Sequence, residues 1–338
     1  MGTGYANQWL GQTAVILTIT LATIWKHLPE NHHIGKTAVL PTFGVGNHLT
    51  ILRGLLISML AGFLLIPQPI GWLAWLPALL YTIASIADIL DGYAARVTNH
   101  ATALGARLDM TFDGLGILIV ISLAVWYKQL PLFYLTIGLA RYFFLFGLWL
   151  REKLELKEQP LSPSIHRRVF AGLQMGFLSV VLWPILPTTG VIIAALLFGS
   201  ATAVSFLRDW FVVIGWLDPQ SSVYTQWQRR VYRLFSTQLP PFFRLIFAVC
   251  ALILIITTPI NWATPFVIAT AVAIVAGAMG RVMALWLLFP LAFDMLANNA
   301  NIINSAAIAC VILIALLGTG AYSLWQPEDR FLYRRAGE

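Results

Sequence analysis

Residues 88–113, DILDGYAARVTNHATALGARLDMTFD, gather four aspartates between two long apolar runs. Asp88 and Asp91 are three positions apart, and Asp109 and Asp113 are four apart. On two helices each pair therefore lies on one face, about one turn apart. The intervening VTNHATALG is polar, small or glycine, which suits a turn that brings the two faces opposite. Four carboxylates then point into one space at the edge of a membrane. Like charges held close together away from water repel and resist ionising, so something positive must fill that space. Hard oxygen ligands without histidine or thiolate favour magnesium, manganese or calcium over zinc. Four carboxylates can hold two such ions as a clamp for phosphoryl chemistry.

The elements that must position these groups are membrane helices. The chain has 338 residues, of which 59% are hydrophobic and 10% charged, too apolar for a soluble domain of that length. Runs of roughly 18 to 22 apolar residues, enough to cross about 30 Å of hydrocarbon as helix, recur throughout. No strand alternation competes with them, and open sheets cannot span lipid. The expected fold is an all-α polytopic membrane protein with about ten transmembrane helices. Its expected division is an N-terminal membrane helix and linker (1–46), a six-helix catalytic bundle (47–216), an interfacial linker (217–240) and an accessory four-helix region (241–338). The first apolar run lacks a basic start and a small-residue cleavage site, and is expected as a retained helix.

The net charge of +7 does not imply a nucleic-acid partner, because the basic residues fall in alternate loops. Lys26, Lys36, Arg96 and Arg107 are on the same side as the clusters at 151–168, 208–233 and 330–335, whereas the loops at 66–70, 186–190 and 298–303 carry no lysine or arginine. The positive-inside rule then places the aspartate hairpin and the C-terminus in the cytoplasm and the N-terminus outside, in an expected plasma-membrane location. Cys250 and Cys310 lie in apolar spans without spaced partners, which fits packing rather than disulfides or metal. His32 and His33 lack a second pair at ligand spacing and are expected in a solvated loop.

Asn47-His48-Leu49-Thr50-Ile51-Leu52-Arg53 opens the first span of the bundle. Asn47 or Thr50 can cap that helix, and Arg53 is either functional or a snorkelling cation. Gly92 costs about 1 kcal/mol mid-helix relative to alanine, and the compensating gain is room. Arg141 lies well inside an apolar run, where an arginine normally faces a bundle interior or a watery cavity. Arg208 and Asp209 form a compensated pair at the interface. The segment at 217–240 is polar, basic and aromatic, suited to an amphipathic helix on anionic lipid. Arg281 and Asp294 lie inside the C-terminal runs, too far apart for a direct pair along one helix.

The full spacing, Asp88, Asp91-Gly92, Ala95-Arg96, Gly105, Asp109 and Asp113, resembles the signature of the CDP-alcohol phosphotransferases, membrane enzymes that make phospholipid head groups. The Asn-x-Leu-Thr-x-x-Arg opening is similar to the start of that family's first core helix. Arg167 and Arg168 stand where members often have a Gly-Lys pair, with the glycine missing and arginine in place of lysine. The ending GTGAYSLWQPED faintly resembles DoxX-type four-helix membrane proteins, which assigns no role to that half.

The family resemblance implies transfer of a substituted phosphate group from a CDP-linked donor such as CDP-diacylglycerol to an alcohol, with release of CMP. It implies two divalent cations, Mg2+ or Mn2+, on Asp88, Asp91, Asp109 and Asp113. Asp113 is the implied general base, also suited by its deeper position. Gly92, Ala95 and Gly105 are implied nucleotide contacts, and Arg96 an implied donor-phosphate contact. Arg141, Arg167 and Arg168 are spare cations for the acceptor, which points to a phosphorylated polyol. The family is often dimeric, so a homodimer is an expected partner alongside membrane lipid. The competing class is a divalent-cation transporter or channel, which accounts for the aspartates but not for Gly92, Ala95 and Arg96.

Overall fold

The structure is a computed structural model that describes residues 3–157, 159, 165–257 and 264–325, with the side chains of residues 3 and 165–171 outside the description. Helices account for the named elements, and among the described residues there are isolated bridges but no strand. In chain order they are α1 (Thr3–His27), α2 (Val45–Ala61), α3 (Trp75–Val97), α4 (Ala103–Trp126), α5 (Leu135–Lys153) and α6 (Ile165–Val181). There follow α7 (Thr188–Val213), α8 (Ser222–Arg233), α9 (Leu239–Thr257), α10 (Thr264–Ala276), α11 (Gly280–Asn298) and α12 (Ile302–Leu317).

Among the described residues, six helical segments are long and apolar enough to cross a membrane: Gly71–Val97, Ala103–Trp126, Leu132–Lys153, Thr188–Val213, Ser222–Thr257 and Gly280–Asn298. Four further apolar helices are shorter, among them α2, α10 and α12. The N-terminal helix expected to span is present as α1, 25 residues long, but it is not one of the six. Gln8, Gln12 and its threonines dilute its apolar character, and Thr18 and Thr23 turn their hydroxyls back onto the carbonyls of Ala14 and Ile19.

Two compact units divide the chain, residues 1–143 with 175–184, and residues 144–174 with 185–338. In the first, α2 is the central helix and packs on α1, α3 and α4. Its small residues set the spacing. A Cβ on Gly54 would come within 2.9 Å of both Phe112 on α4 and Thr20 on α1. A Cβ on Gly46 would stand 3.0 Å from Ala95 on α3. Close backbone approach through small residues is the usual means of helix association in lipid, where apolar burial alone gives little drive. Trp126 closes the far end of α4 with a hydrogen bond from its indole to the Ile66 carbonyl at 2.9 Å.

In the second unit, α12 packs on α7, α9 and α11. The segment expected as a linker is helical: α8 runs through a π turn (Leu234–Gln238) into α9, making one 36-residue segment. Arg244, inside the expected apolar run 241–258, is only 7% exposed and donates to the carbonyls of Val275, Thr319 and Ala321 at 3.0–3.1 Å. Arg281 donates to the Ala315 and Leu316 carbonyls at 3.1 Å. Arg281 thus satisfies carbonyls at the end of α12, and Arg244 one at the end of α10 and two in the segment after α12, which lipid could not. Asp294 is held by Asn298 and Asn304 at 2.8 and 3.4 Å, not by Arg281. Arg208 and Asp209 pair at 2.8 Å, as expected from the sequence.

Candidate active site

Helix α3 presents Asp88 and Asp91, and α4 presents Asp109 and Asp113, so helical periodicity alone puts each pair on one face. The two faces meet over Arg53 of α2, which is 2% exposed. Its Nη1 lies 2.7 Å from Asp88, 3.1 Å from Asp91 and 2.6 Å from Asp109. Its Nη2 pairs with Asp113. Thr50, one turn earlier on α2, donates to Asp91 at 2.8 Å. The snorkelling alternative for Arg53 does not fit this position, since its head is buried among carboxylates rather than extended to water.

One oxygen each from Asp88, Asp91 and Asp109 lie within 4.8 Å of one another. The donor set is all oxygen, and one guanidinium faces four carboxylates, so ionisation of all four leaves uncompensated negative charge. Those residues fit a hard divalent cation. Asp113 stands outside this trio and faces the other guanidinium nitrogen. Its side chain is 32% exposed, against 8% for Asp91.

The hairpin between α3 and α4 is pinned by the linker that precedes α2. His33 bridges to Thr102, and Ala103 donates its backbone N–H to the His32 carbonyl at 2.9 Å. Thr102 caps α4 by accepting from the Gly105 N–H at 3.0 Å, and its hydroxyl donates to Asn47 Oδ1 at 3.0 Å. Asn47 in turn donates to Asn31 at 3.1 Å. Neither Asn47 nor Thr50 caps α2, whose N-cap is Gly44 without a side-chain bond; both side chains are drawn instead into contacts with other elements. At the linker's other end Arg107 donates to Glu30 at 3.3 Å. A hydrogen bond from His27, with a further one from Arg107, holds the Glu30 carboxyl below the usual carboxylate range.

The remaining sequence candidates fall into three settings. Gly92 is open except toward its own helix's Arg96, whose guanidinium a Cβ would meet at 3.3 Å, and Arg96 itself is exposed. Ala95 and Gly105 have internal neighbours: Ala95 packs on Gly46, and a Cβ on Gly105 would stand 2.5 Å from Asn47 Oδ1. Arg141 crosses α4 at Gly114, where a Cβ would meet its Cδ at 2.8 Å. Among the described residues it forms no ion pair with the aspartates. Arg167 and Arg168 lie within α6 rather than ahead of a helix, and their side chains are outside the described residues.

Arg53 and Thr50 are the partners that motif spacing did not assign to the aspartates. The available signal was arithmetic: both lie one turn apart on a helix that must cover the aspartate faces, and Arg53 is the cation nearest the start of the bundle.

A sequence model of the family described as CDP-alcohol phosphatidyltransferase matches residues 43–216, about half the chain, and includes every residue of this cluster. A CDP-diacylglycerol–glycerol-3-phosphate 3-phosphatidyltransferase of Rickettsia bellii is 34% identical over 135 residues, 40% of this chain and 72% of that protein. Proteins of the same name from Salmonella choleraesuis and Escherichia coli are 33% and 31% identical over 94 residues, 26% of this chain and 50% of each relative. No solved structure matches.

Proposed function

The chain belongs to the CDP-alcohol phosphatidyltransferase family, and on that premise we propose that it moves the phosphatidyl group of CDP-diacylglycerol onto a hydroxyl of glycerol 3-phosphate, releasing CMP. Phosphatidyl transfer in phospholipid synthesis by an integral membrane enzyme is the family's activity, and the named relatives supply this donor and acceptor. The observation that carries the reading is the convergence of Asp88, Asp91, Asp109 and Asp113 on one point.

In this reading Asp88, Asp91 and Asp109, with Asp113 beside them, hold two Mg2+ or Mn2+ ions. When bound, such ions neutralise pyrophosphate charge and stabilise the oxygens of an in-line displacement. Arg96 meets a donor phosphate, and the bare backbone at Gly92 leaves room for the cytidine. Ala95 and Gly105 border the same nucleotide surface. Asp113 takes the proton from the attacking hydroxyl as the new oxygen–phosphorus bond forms and the bond to CMP breaks. Arg141 meets the acceptor's own phosphate, which favours a phosphorylated polyol over an uncharged alcohol. The catalytic region is residues 47–216, and the site opens to the cytoplasmic face of the plasma membrane.

Purified protein given CDP-diacylglycerol, magnesium or manganese, and a panel of alcohols should release CMP only with metal and most rapidly with glycerol 3-phosphate. Asp113→Asn should abolish release while CDP-lipid binding persists. Near-normal turnover in that variant would remove Asp113 from the base role, and metal-dependent release with serine or inositol alone would replace the acceptor.

A further inference from the structure

Helix α8 lies beyond residues 43–216, so the family match assigns it no role. Its sequence, SVYTQWQRRVYR, holds three arginines and no acidic residue, and Ser221 caps it by accepting from the Tyr224 N–H at 3.1 Å. Through the π turn it is continuous with α9 over 36 residues, about 54 Å of helix against about 30 Å of hydrocarbon. The 19 apolar residues of α9 nearly match that thickness by themselves. Helix α8 therefore stands at the membrane surface, where its arginines avoid the cost of burial in lipid.

One side of α8 is docked. Tyr224 is buried, its hydroxyl accepts from Arg208 Nε at 3.0 Å, and the guanidinium carbon lies 5.9 Å from its ring centroid. Arg208 belongs to the last two turns of α7, so this contact holds the start of α8 beside the end of a membrane helix. Next around the helix come Val223 and Trp227, four apart on one face and 77% and 59% exposed. Arg230 borders that stripe, and Arg229 and Arg233, again four apart, form the row beyond it; all three are exposed. Trp216, stacked on Phe211 at 5.5 Å and also exposed, adds a second tryptophan after the end of α7. A helix facing only water gains nothing from an outward Val223 and Trp227, and one immersed in hydrocarbon could not keep three arginines. An apolar stripe bordered by arginines suits the boundary between acyl chains and headgroups, and tryptophan favours the same depth. We propose that α8 is a binding surface for anionic phospholipid, with Val223 and Trp227 among the upper acyl chains and Arg229, Arg230 and Arg233 on the headgroup phosphates. Charge complementarity selects the occupant, since three cations with no acid among them favour a lipid of net negative charge over a zwitterionic one. This surface is independent of the phosphatidyl-transfer reading.

The test titrates fluorescent phosphatidylglycerol and phosphatidylcholine, matched in their chains, into the full-length protein in uncharged detergent. One basic residue at an anionic surface corresponds to about a fivefold effect. The unmodified protein should bind phosphatidylglycerol more tightly than phosphatidylcholine, and added salt should erode the difference. Changing Arg229, Arg230 and Arg233 together to glutamine should weaken phosphatidylglycerol binding more than about tenfold and leave phosphatidylcholine binding and helicity unchanged; changing all three to lysine should keep most of the preference. A preference that survives the glutamine substitutions overturns the proposal and leaves the arginines to an acidic protein partner. Equal loss of both lipids, or a preference in the unmodified protein that salt does not touch, overturns it as well; the salt series decides the matter even if the glutamine variant does not fold.

Discussion

Arg53 is the residue whose removal should be felt most widely. Truncating one partner of a buried ion network costs about 3–5 kcal/mol, because the charges left behind are uncompensated. Here the remainder is four carboxylates, two of them with side chains no more than 22% exposed. Arg53→Ala should therefore lower the unfolding temperature in detergent sharply, and added magnesium should restore part of the loss by supplying replacement positive charge. Arg53→Lys keeps the charge but offers a point where a planar fork now touches both helices, so an intermediate effect is expected. An Arg53→Ala protein as stable as the parent, with or without metal, would show that the aspartates do not depend on it. The aspartate faces were legible from residue spacing because a helix fixes which positions share a face. Arg53's role was not, because its 35-residue separation from Asp88 contains no periodic signal.

At the scale of elements, the polar linker does more than join α1 to α2. Through Asn31, Asn47 and Thr102 it holds the start of α4, and the absence of a side chain at Gly105 is what lets Asn47 approach. Gly105→Ala forces a Cβ to within 2.5 Å of Asn47 Oδ1. Overpacking of this kind costs about 1–3 kcal/mol. In a double-mutant cycle, Asn47→Ala should lessen that cost, and thermal unfolding of the four proteins gives the coupling; strict additivity would mean that the two residues do not press on each other. In the sequence Gly105 reads as the end of a turn, and that it is, since Thr102 caps α4 through the Gly105 N–H. The second function depends on a tertiary neighbour 58 positions away, and no local pattern carries that. The same limitation applies to α8 and α9: the polar, basic stretch reads as a break in composition, yet backbone hydrogen bonding continues across it through a π turn.

For the whole molecule, hydropathy located the six long apolar helical segments among the about ten spans expected, because lipid leaves no other way to satisfy a crossing backbone. It was less able to rank short or threonine-rich helices such as α1, α2 and α12, whose place is set by packing as well as by length. The orientation derived from basic-loop asymmetry predicts that a cysteine placed at Asn99 in the hairpin is labelled by a membrane-impermeant thiol reagent only in inside-out vesicles, and one placed at Gln68 only in right-side-out vesicles. The native Cys250 and Cys310 are both buried, so background labelling should be low. The reverse pattern would invert the topology and move the aspartates to the outer face. Chain order gives the Arg53 cluster a further consequence. The ribosome releases α2 before α3 and α4, so the guanidinium reaches the membrane ahead of every carboxylate it will meet. Each acidic helix thus arrives to find its counter-charge already installed, and the bilayer need never host the four aspartates alone.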